Sequence, residues 1–280
     1  MGNLSRPGRR KRIDLVLQEK KPGLSRSRIR AEIMAGNVLV DGRVCDKPGT
    51  AVDANASITM QARSNPYVSR GGLKLEGALK DFSLDVTGQT VLDVGASTGG
   101  FTDCLLQKGA KMIYALDVGY GQLDLKLRND PRVAVMERRN VRDLRYSDLP
   151  LEPDLAVVDV SFISLRRVLP VLAGISIPKV LALVKPQFEV GRVEASRGKG
   201  VIRSPEAHRR VLGEILGSAQ EAGYYCRNVS YSHLPGPKGN IEYFIFLTRE
   251  NEGAYTVMTG CEVAIKKAIE EALRVFNRIR

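Results

Sequence analysis

The run Thr90-Val91-Leu92-Asp93-Val94-Gly95-Ala96-Ser97-Thr98-Gly99-Gly100-Phe101 constrains this chain more tightly than any other segment. An apolar segment ends in an acidic residue, crosses a glycine-rich turn and enters a helical stretch. Strand, tight turn and helix in that order build the nucleotide site of a doubly wound α/β sheet, at a strand's carboxyl end. The spacing is not G-x-G-x-x-G, so a dinucleotide fingerprint fits poorly. A second apolar run, Met112-Ile113-Tyr114-Ala115-Leu116, closes on Asp117, 24 residues after Asp93. A carboxylate at that place accepts ribose hydroxyls and repels a 2′-phosphate. It points to an adenosine cofactor without saying which one.

Apolar runs recur at 90–94, 111–116, 133–136, 155–160, 180–184 and 243–247, with helical stretches between them. Residues 206–222 read as a late helix stopped by Gly223. Ile265, Ile269, Leu273 and Phe276 line one face of a terminal helix. The alternation predicts a mostly parallel sheet wrapped by helices.

Charge divides the chain. The net charge is +12 and the sequence pI about 9.7, which suits a polyanionic partner. Residues 1–63 carry 13 Lys and Arg against 6 Asp and Glu, whereas the remaining 217 carry 30 against 25. We therefore expect a basic module at 1–63, a linker rich in Ser, Asn and Pro at 64–69, and a larger domain at 70–280. Cys45, Cys104, Cys226 and Cys261 are far apart and form no C-x-x-C, so we expect a reduced, cytoplasmic protein without a bound metal. No secretory h-region and no run of 18 apolar residues is present, and no membrane association is expected.

Within the basic module, Ile13, Val16 and Leu17 mark a first helix that breaks at Pro22-Gly23. Ser25 can cap a second, with Ile29 and Ile33 inward. Arg26 and Arg30 fall four apart on one face, with Arg28 between them in sequence. Val38 to Val44 reads as a hairpin around Asp41-Gly42, and Ile58-Thr59-Met60 as a closing strand. The stretches Ser25-Arg26-Ser27-Arg28-Ile29-Arg30 and Asn37-Val38-Leu39-Val40-Asp41-Gly42 make residues 10–60 resemble the S4 RNA-binding domain. Guanidinium groups on one face suit phosphates. Arg10, Arg12, Arg26, Arg28 and Arg30 are the candidate RNA contacts, and Arg6, Arg9 and Lys11 extend the positive arm. A solubility tail is the competing reading of that arm.

Four charged residues stand at or near strand ends in the larger domain: Lys74, Asp159, Lys185 and Glu242. A charge closing an apolar strand is costly to bury unless it is paired. Spacing alone leaves open one shared cleft or two unrelated surface ion pairs. The segment from Asp93 to Phe101 resembles motif I of S-adenosylmethionine (SAM) methyltransferases. Combined with it, the order Lys74, Asp159, Lys185, Glu242 resembles the K-D-K-E tetrad of FtsJ-like ribose 2′-O-methyltransferases. With Val68-Ser69-Arg70-Gly71-Gly72-Leu73-Lys74-Leu75, Val184-Lys185-Pro186-Gln187-Phe188-Glu189 and the S4-like module in front, residues 10–275 resemble the TlyA (haemolysin A) family.

That resemblance implies a Rossmann-like methyltransferase sheet preceded by a small α+β S4 domain. It also implies SAM-dependent methylation of a cytidine ribose 2′-hydroxyl in small- or large-subunit ribosomal RNA, free or within ribosomal subunits. The catalytic residues would be Lys74, Asp159, Lys185 and Glu242. SAM would be held by Asp93, Gly95, Ala96, Ser97, Gly99, Gly100, Phe101, Asp117, Val118, Asn140, Val141 and Asp159. Asn140 stands where related enzymes often have an acidic residue for the adenine. A partly desolvated Lys185 is expected to have a depressed pKa and to take the 2′-hydroxyl proton, with Asp159 orienting it. Lys199 joins the RNA contacts from a loop that includes Arg192, Arg197 and Arg203. Two other classes compete: a non-catalytic RNA-binding or ribosome-assembly protein, and the membrane-lytic activity in the family label. The intact tetrad argues against the first. The lack of a spanning segment and of a strongly apolar amphipathic helix argues against the second.

Overall fold

Two amphipathic helices and a hairpin fold the basic module around its few large apolar side chains. In the computed structural model, residues 10–277 are described except 25, 35, 54, 61–64 and 251–258. Ser25 and the arm residues Arg6 and Arg9 lie outside the described residues. Lys11–Arg12 (β1) leads into Ile13–Lys20 (α1), followed by Arg26–Met34 (α2). Ile13, Val16, Leu17, Ile29 and Ile33 are buried together. Val38–Val40 (β2) and Arg43–Val44 (β3) form the expected hairpin. Its turn residues Asp41 and Gly42 have φ of +49° and +77°, the pair of positive angles a two-residue hairpin turn of this hand needs. Ala51–Val52 (β4) pairs with β1, and Ile58–Met60 (β5) with β2.

The segment expected as a linker is packed over its described part. Tyr67 is buried, and the backbone N–H of Val68 donates to Asp103 Oδ2 at 2.9 Å. It leads into Arg70–Asp81 (α3), capped by the Ser69 hydroxyl, which accepts from Gly71 N.

The larger domain then alternates strand and helix. Thr90–Val94 (β6), Gly100–Gln107 (α4), Met112–Leu116 (β7), Leu125–Arg128 (α5) and Val133–Met136 (β8) build one half. Leu155–Val158 (β9), Leu165–Gly174 (α6), Lys179–Val184 (β10), Pro186–Glu189 (α7) and Arg192–Arg197 (α8) start the other. Pro205–Glu221 (α9), Tyr225–Tyr231 (β11), Tyr243–Thr248 (β12) and Thr259–Asn277 (α10) complete it.

Seven strands form one sheet in the order β11-β12-β10-β9-β6-β7-β8. The strands β10, β9, β6, β7 and β8 are parallel, β12 is antiparallel to β10, and β11 is antiparallel to β12. Within this sheet the path starts at β6, runs outward to β8, then crosses back to β9. The reversal between β6 and β9 opens a crevice at the strands' carboxyl ends, where ligands bind in such sheets. Helices cover both faces, so β6, β9 and β10 are near-continuous apolar runs. On one face α6, α9 and α10 pack, with Ile265 and Ile269 of α10 inward as expected; α3 and α4 cover the other.

Strand β11 was not expected. Its Tyr225-Cys226-Arg227-Asn228-Val229-Ser230-Tyr231 lies at the sheet edge, and a register shift between Cys226 and Asn228 breaks its alternation. No helix among the described residues is long and apolar enough to cross a membrane.

Candidate active site

Four chain segments bring their charges to the sheet's carboxyl edge. Asp159 follows β9 directly, its N–H bonded to Val94 O. Lys185 follows β10, and Pro186 starts the short helix after it. Glu242 precedes β12. Because β12 is antiparallel, with Val184 opposite Tyr243, its start lies beside the end of β10. Lys74 comes from the second turn of α3.

The side chains form two ion pairs in one cavity. Lys74 Nζ lies 2.5 Å from Glu242 Oε2, and Lys185 Nζ 2.5 Å from Asp159 Oδ1. Glu242 is fully buried, and its other oxygen accepts from Gln187 Nε2 at 3.0 Å. Lys185 also donates to Ser161 Oγ at 3.0 Å. A cavity of about 320 Å³ is lined by all four of these charged residues. It shares Gly95, Ser97, Asp159 and Ser161 with a larger one of about 1070 Å³. The alternative of two unrelated surface pairs therefore does not describe this protein.

One electrostatic expectation is corrected. Burial, the largest influence on Lys185, favours the neutral amine. The carboxylates of Asp159 and Glu242 outweigh it, and the ammonium is held above its ordinary value rather than below. At rest the site holds Lys185 protonated.

The larger cavity collects much of the expected cofactor set. Gly95, Ser97, Asp117, Val118, Asn140, Val141 and Asp159 line it. Asp117 is held by backbone donors, Ser97 N at 2.8 Å on Oδ2 and Gly119 N at 2.6 Å on Oδ1. A carboxylate has about four lone-pair sites, so acceptor capacity remains. Asn140 uses its oxygen to accept from Arg142 N and Nε, which leaves its NH₂ group for another acceptor. Ala96, Gly100 and Phe101 line the smaller cavity instead.

Asp93 and Gly99 line neither cavity. Along β6 alternate side chains point to opposite faces. Asp93 is fully buried, and Oδ2 accepts from Thr102 Oγ1 at 2.6 Å. Burial pushes its carboxyl up to about 7, against the opposing effect of the Thr102 bond. That bond ties β6 to α4 beneath the glycine-rich turn. At Gly99, with φ +95°, a Cβ would run into Leu127, so that glycine serves packing beneath the loop.

Of the expected RNA contacts, Arg10, Arg26, Arg30 and Lys199 are exposed. Nothing is described of the Arg28 side chain. Arg12 is engaged: Nε and Nη2 donate to the two Asp14 oxygens at 3.0 and 2.8 Å. Its guanidinium is thus partly spent within the module. The loop after α8 is tied down. Lys238 Nζ donates to Lys199 O, and Asn240 bridges Gly200 O and Ile202 N. His208 Nε2 donates to Ile202 O at 3.1 Å, so Nδ1 accepts from the Tyr243 hydroxyl at 2.6 Å. Burial, the larger influence, lowers the His208 pKa.

Sequence reasoning assigned no role to Gln187, Ser161 or Phe162. The first two bind the charged groups directly. Phe162 is 90% exposed at the larger cavity's wall, with φ +67°, and its ring lies 4.9 Å from that of Phe188. Their signal was proximity in sequence to Asp159 and Lys185.

Residues 67–249 match the model of the FtsJ-like methyltransferase family, and residues 11–58 match the S4 domain. The 16S/23S rRNA (cytidine-2′-O)-methyltransferase TlyA of Mycobacterium tuberculosis is 46% identical over 268 residues, 94% of this chain and 98% of that protein. Hemolysin A of Brachyspira hyodysenteriae is 40% identical over 236 residues, 83% of this chain and 97% of that one. A solved structure described as a hemolysin from Streptococcus thermophilus is 39% identical with a TM-score of 0.75, covering 96% of this chain and 98% of that one. An S4 domain before a seven-stranded transferase sheet, and kinship of this extent along nearly the whole chain, lead to one assignment: the chain belongs to the TlyA family of SAM-dependent, FtsJ-like methyltransferases.

Proposed function

We propose that this protein methylates the 2′-hydroxyl of a cytidine ribose in ribosomal RNA, of the small subunit, the large subunit or both, in the cytoplasm. The observation that carries the reading is the junction of the two cavities. Lys74, Asp159, Lys185 and Glu242 line the smaller one, and Asp159 also lines the larger one beside Asp117 and Asn140. The chain's donors and acceptors fit SAM in the larger cavity. Asp117 retains acceptor sites for ribose hydroxyls, the Asn140 NH₂ group is left for adenine, and Gly95 lines the wall that the two cavities share.

Bound SAM supplies an electrophilic methyl group on a sulfonium. Lys185 then has two duties. As an ammonium held by Asp159 it fixes the place of the incoming ribose oxygen. As a neutral amine it accepts the 2′-hydroxyl proton while the oxygen–methyl bond forms and the sulfur–methyl bond breaks. Asp159 controls the exchange between these forms, because any second cation beside it weakens its hold on the Lys185 proton. Lys74 and Glu242, paired with each other and braced by Gln187, shape the opposite wall and balance charge. Ribose position is their contribution, and alignment of this kind supplies much of a bimolecular reaction's acceleration.

Residues 1–63 serve as the RNA anchor in this reading, and residues 70–280 as the transferase. Arg10, Arg26 and Arg30 are its principal phosphate contacts. The test is a map of ribose 2′-O-methylation in ribosomal RNA from cells with and without the gene, repeated with purified protein. A cytidine that loses its methyl group in the deletion and regains it in vitro is expected. Identical maps would overturn the proposal.

A further inference from the structure

At the start of α3 three parts of the molecule meet. Arg70 reaches back to the S4 module, and its Nη1 lies 3.1 Å from Asp46 Oδ2, with the two side chains 24% and 33% exposed. Gly36, beyond α2 with φ +77°, closes on the stem of the same arginine: a Cβ there would lie 2.8 Å from Arg70 Cδ. Met34 and Asp46 of the S4 module consequently line the cavity that holds Lys74, Lys185, Asp159 and Glu242.

The other side of this helix start is equally constrained. A Cβ on Gly100 would collide with Ser69 Oγ and lie 2.9 Å from Gly72 N, so α3 and α4 touch nearly backbone to backbone. Lys74 follows Arg70 by four residues and shares its face of α3. The first turns of α3 therefore connect an S4 contact, the glycine-rich loop's helix and the Lys74–Glu242 pair through one stiff element.

We propose that the Arg70–Asp46 contact is an interdomain latch that makes the S4 module a fixed wall of the methyl-transfer cavity, and that it thereby selects which nucleotide is modified. RNA held by the S4 module then lies at a set distance from Lys185, and a ribose must match that distance to react. The proposal rests on the rRNA-methylation reading above. A partly exposed ion pair contributes little to stability. The latch is a register device, and Arg70 is a positioning residue rather than a catalytic one.

The experiment uses the full-length chain with Asp46→Arg, Arg70→Asp, both together, and Arg70→Lys. Small-angle scattering without RNA reads the docking of the module. Single-turnover methylation and 2′-O-methyl mapping read selection, and calorimetry reads SAM binding. Each single swap is expected to enlarge the particle and to raise the KM for rRNA at least tenfold or spread methylation to neighbouring nucleotides. SAM affinity should stay within about twofold, and kcat on saturating rRNA should fall far less than KM rises. The double swap and Arg70→Lys should restore both scattering and site choice. Single swaps that scatter and select like the wild type, or a double swap no better than either single one, would overturn the latch. Swaps that open the particle while the wild type methylates no rRNA would sustain the docking contact and refute selection together with the rRNA reading.

Discussion

Gly95 and Asp159 meet backbone to backbone: a Cβ at Gly95 would lie 2.6 Å from the Asp159 carbonyl oxygen. The glycine turn after β6 and the residue that follows β9 are thereby locked together where the two cavities join. Gly95 also has φ +89°, which favours glycine. Gly95→Ala is expected to cost about 1–3 kcal/mol of stability through strain, and to weaken SAM binding by displacing Asp159. Thermal melting and calorimetry together check this. A variant that melts and binds like the wild type would show that the contact yields freely.

Asp117 holds two backbone N–H groups while facing the larger cavity. Asp117→Ala removes the proposed charge-assisted bond to a ribose hydroxyl, worth about 1.5–3 kcal/mol, or roughly 10–150-fold in SAM affinity. Unchanged affinity in a folded variant would move the ribose elsewhere.

Lys185 rests as an ammonium above its ordinary pKa, whereas proton acceptance needs the amine. The reactive fraction therefore grows about tenfold per pH unit below that pKa. Single-turnover methyl transfer at saturating SAM and RNA should rise with pH from neutral to alkaline conditions. Lys185→Ala should abolish transfer and leave SAM binding near normal. A pH-independent rate for the chemical step would remove Lys185 as the proton acceptor.

Asp93 gives a stability signature of opposite character. With its carboxyl pushed up to about 7, the folded protein keeps a proton that the unfolded chain releases above about pH 4. Stability contributed by this group falls as pH rises through that window and levels off above 7. Asp93→Asn keeps an acceptor for Thr102 and removes the titration. It should flatten this part of the curve and stabilise the protein at pH 8 by about 1–4 kcal/mol. Denaturant melts at pH 5 and 8 test this, and SAM affinity within a few-fold of wild type would agree with a side chain outside both cavities.

If the amino-terminal module anchors RNA through phosphates, affinity should fall steeply with salt as counterions are released. Replacing Arg26, Arg28 and Arg30 together by Ala should flatten that slope by up to about three contacts and leave SAM affinity unchanged. Equal slopes for both proteins would shift the anchor to the tied loop around Lys199.

Much of the sheet was legible because buried parallel strands are apolar throughout and end in charged residues. Strand β11 was not: only Cys226 and Val229 are buried along it, and its bulge breaks the period. The hairpin at Asp41-Gly42 was readable because few residue pairs adopt two positive φ angles. The tetrad's members, and Asp159 as the partner of Lys185, came from family resemblance; the distances and the burial of Glu242 did not. The closeness of Glu242 to Lys185 depends on the antiparallel insertion of β12, which places Glu242 beside the end of β10. The sign of the Lys185 shift follows from having both Asp159 and Glu242 near it, since desolvation and two carboxylates act in opposite directions and only their geometry decides. Arg12 looked like a free phosphate ligand because nothing in the sequence shows that the nearly buried Asp14 turns toward it.

Strand β12 lies between β10 and β11, both of which precede it in the chain. While the protein is being synthesised, the glycine-rich loop, Asp159 and Lys185 all emerge before Glu242 exists. Until then Lys74 lacks its carboxylate and the sheet lacks its seventh and last strand in sequence. The four-charge cluster therefore cannot be complete until β12, which pairs with two strands made before it, has been synthesised. A premature stop shortly before residue 242 leaves the Gly95–Asp159 junction in the chain but removes the Lys74–Glu242 ion pair entirely.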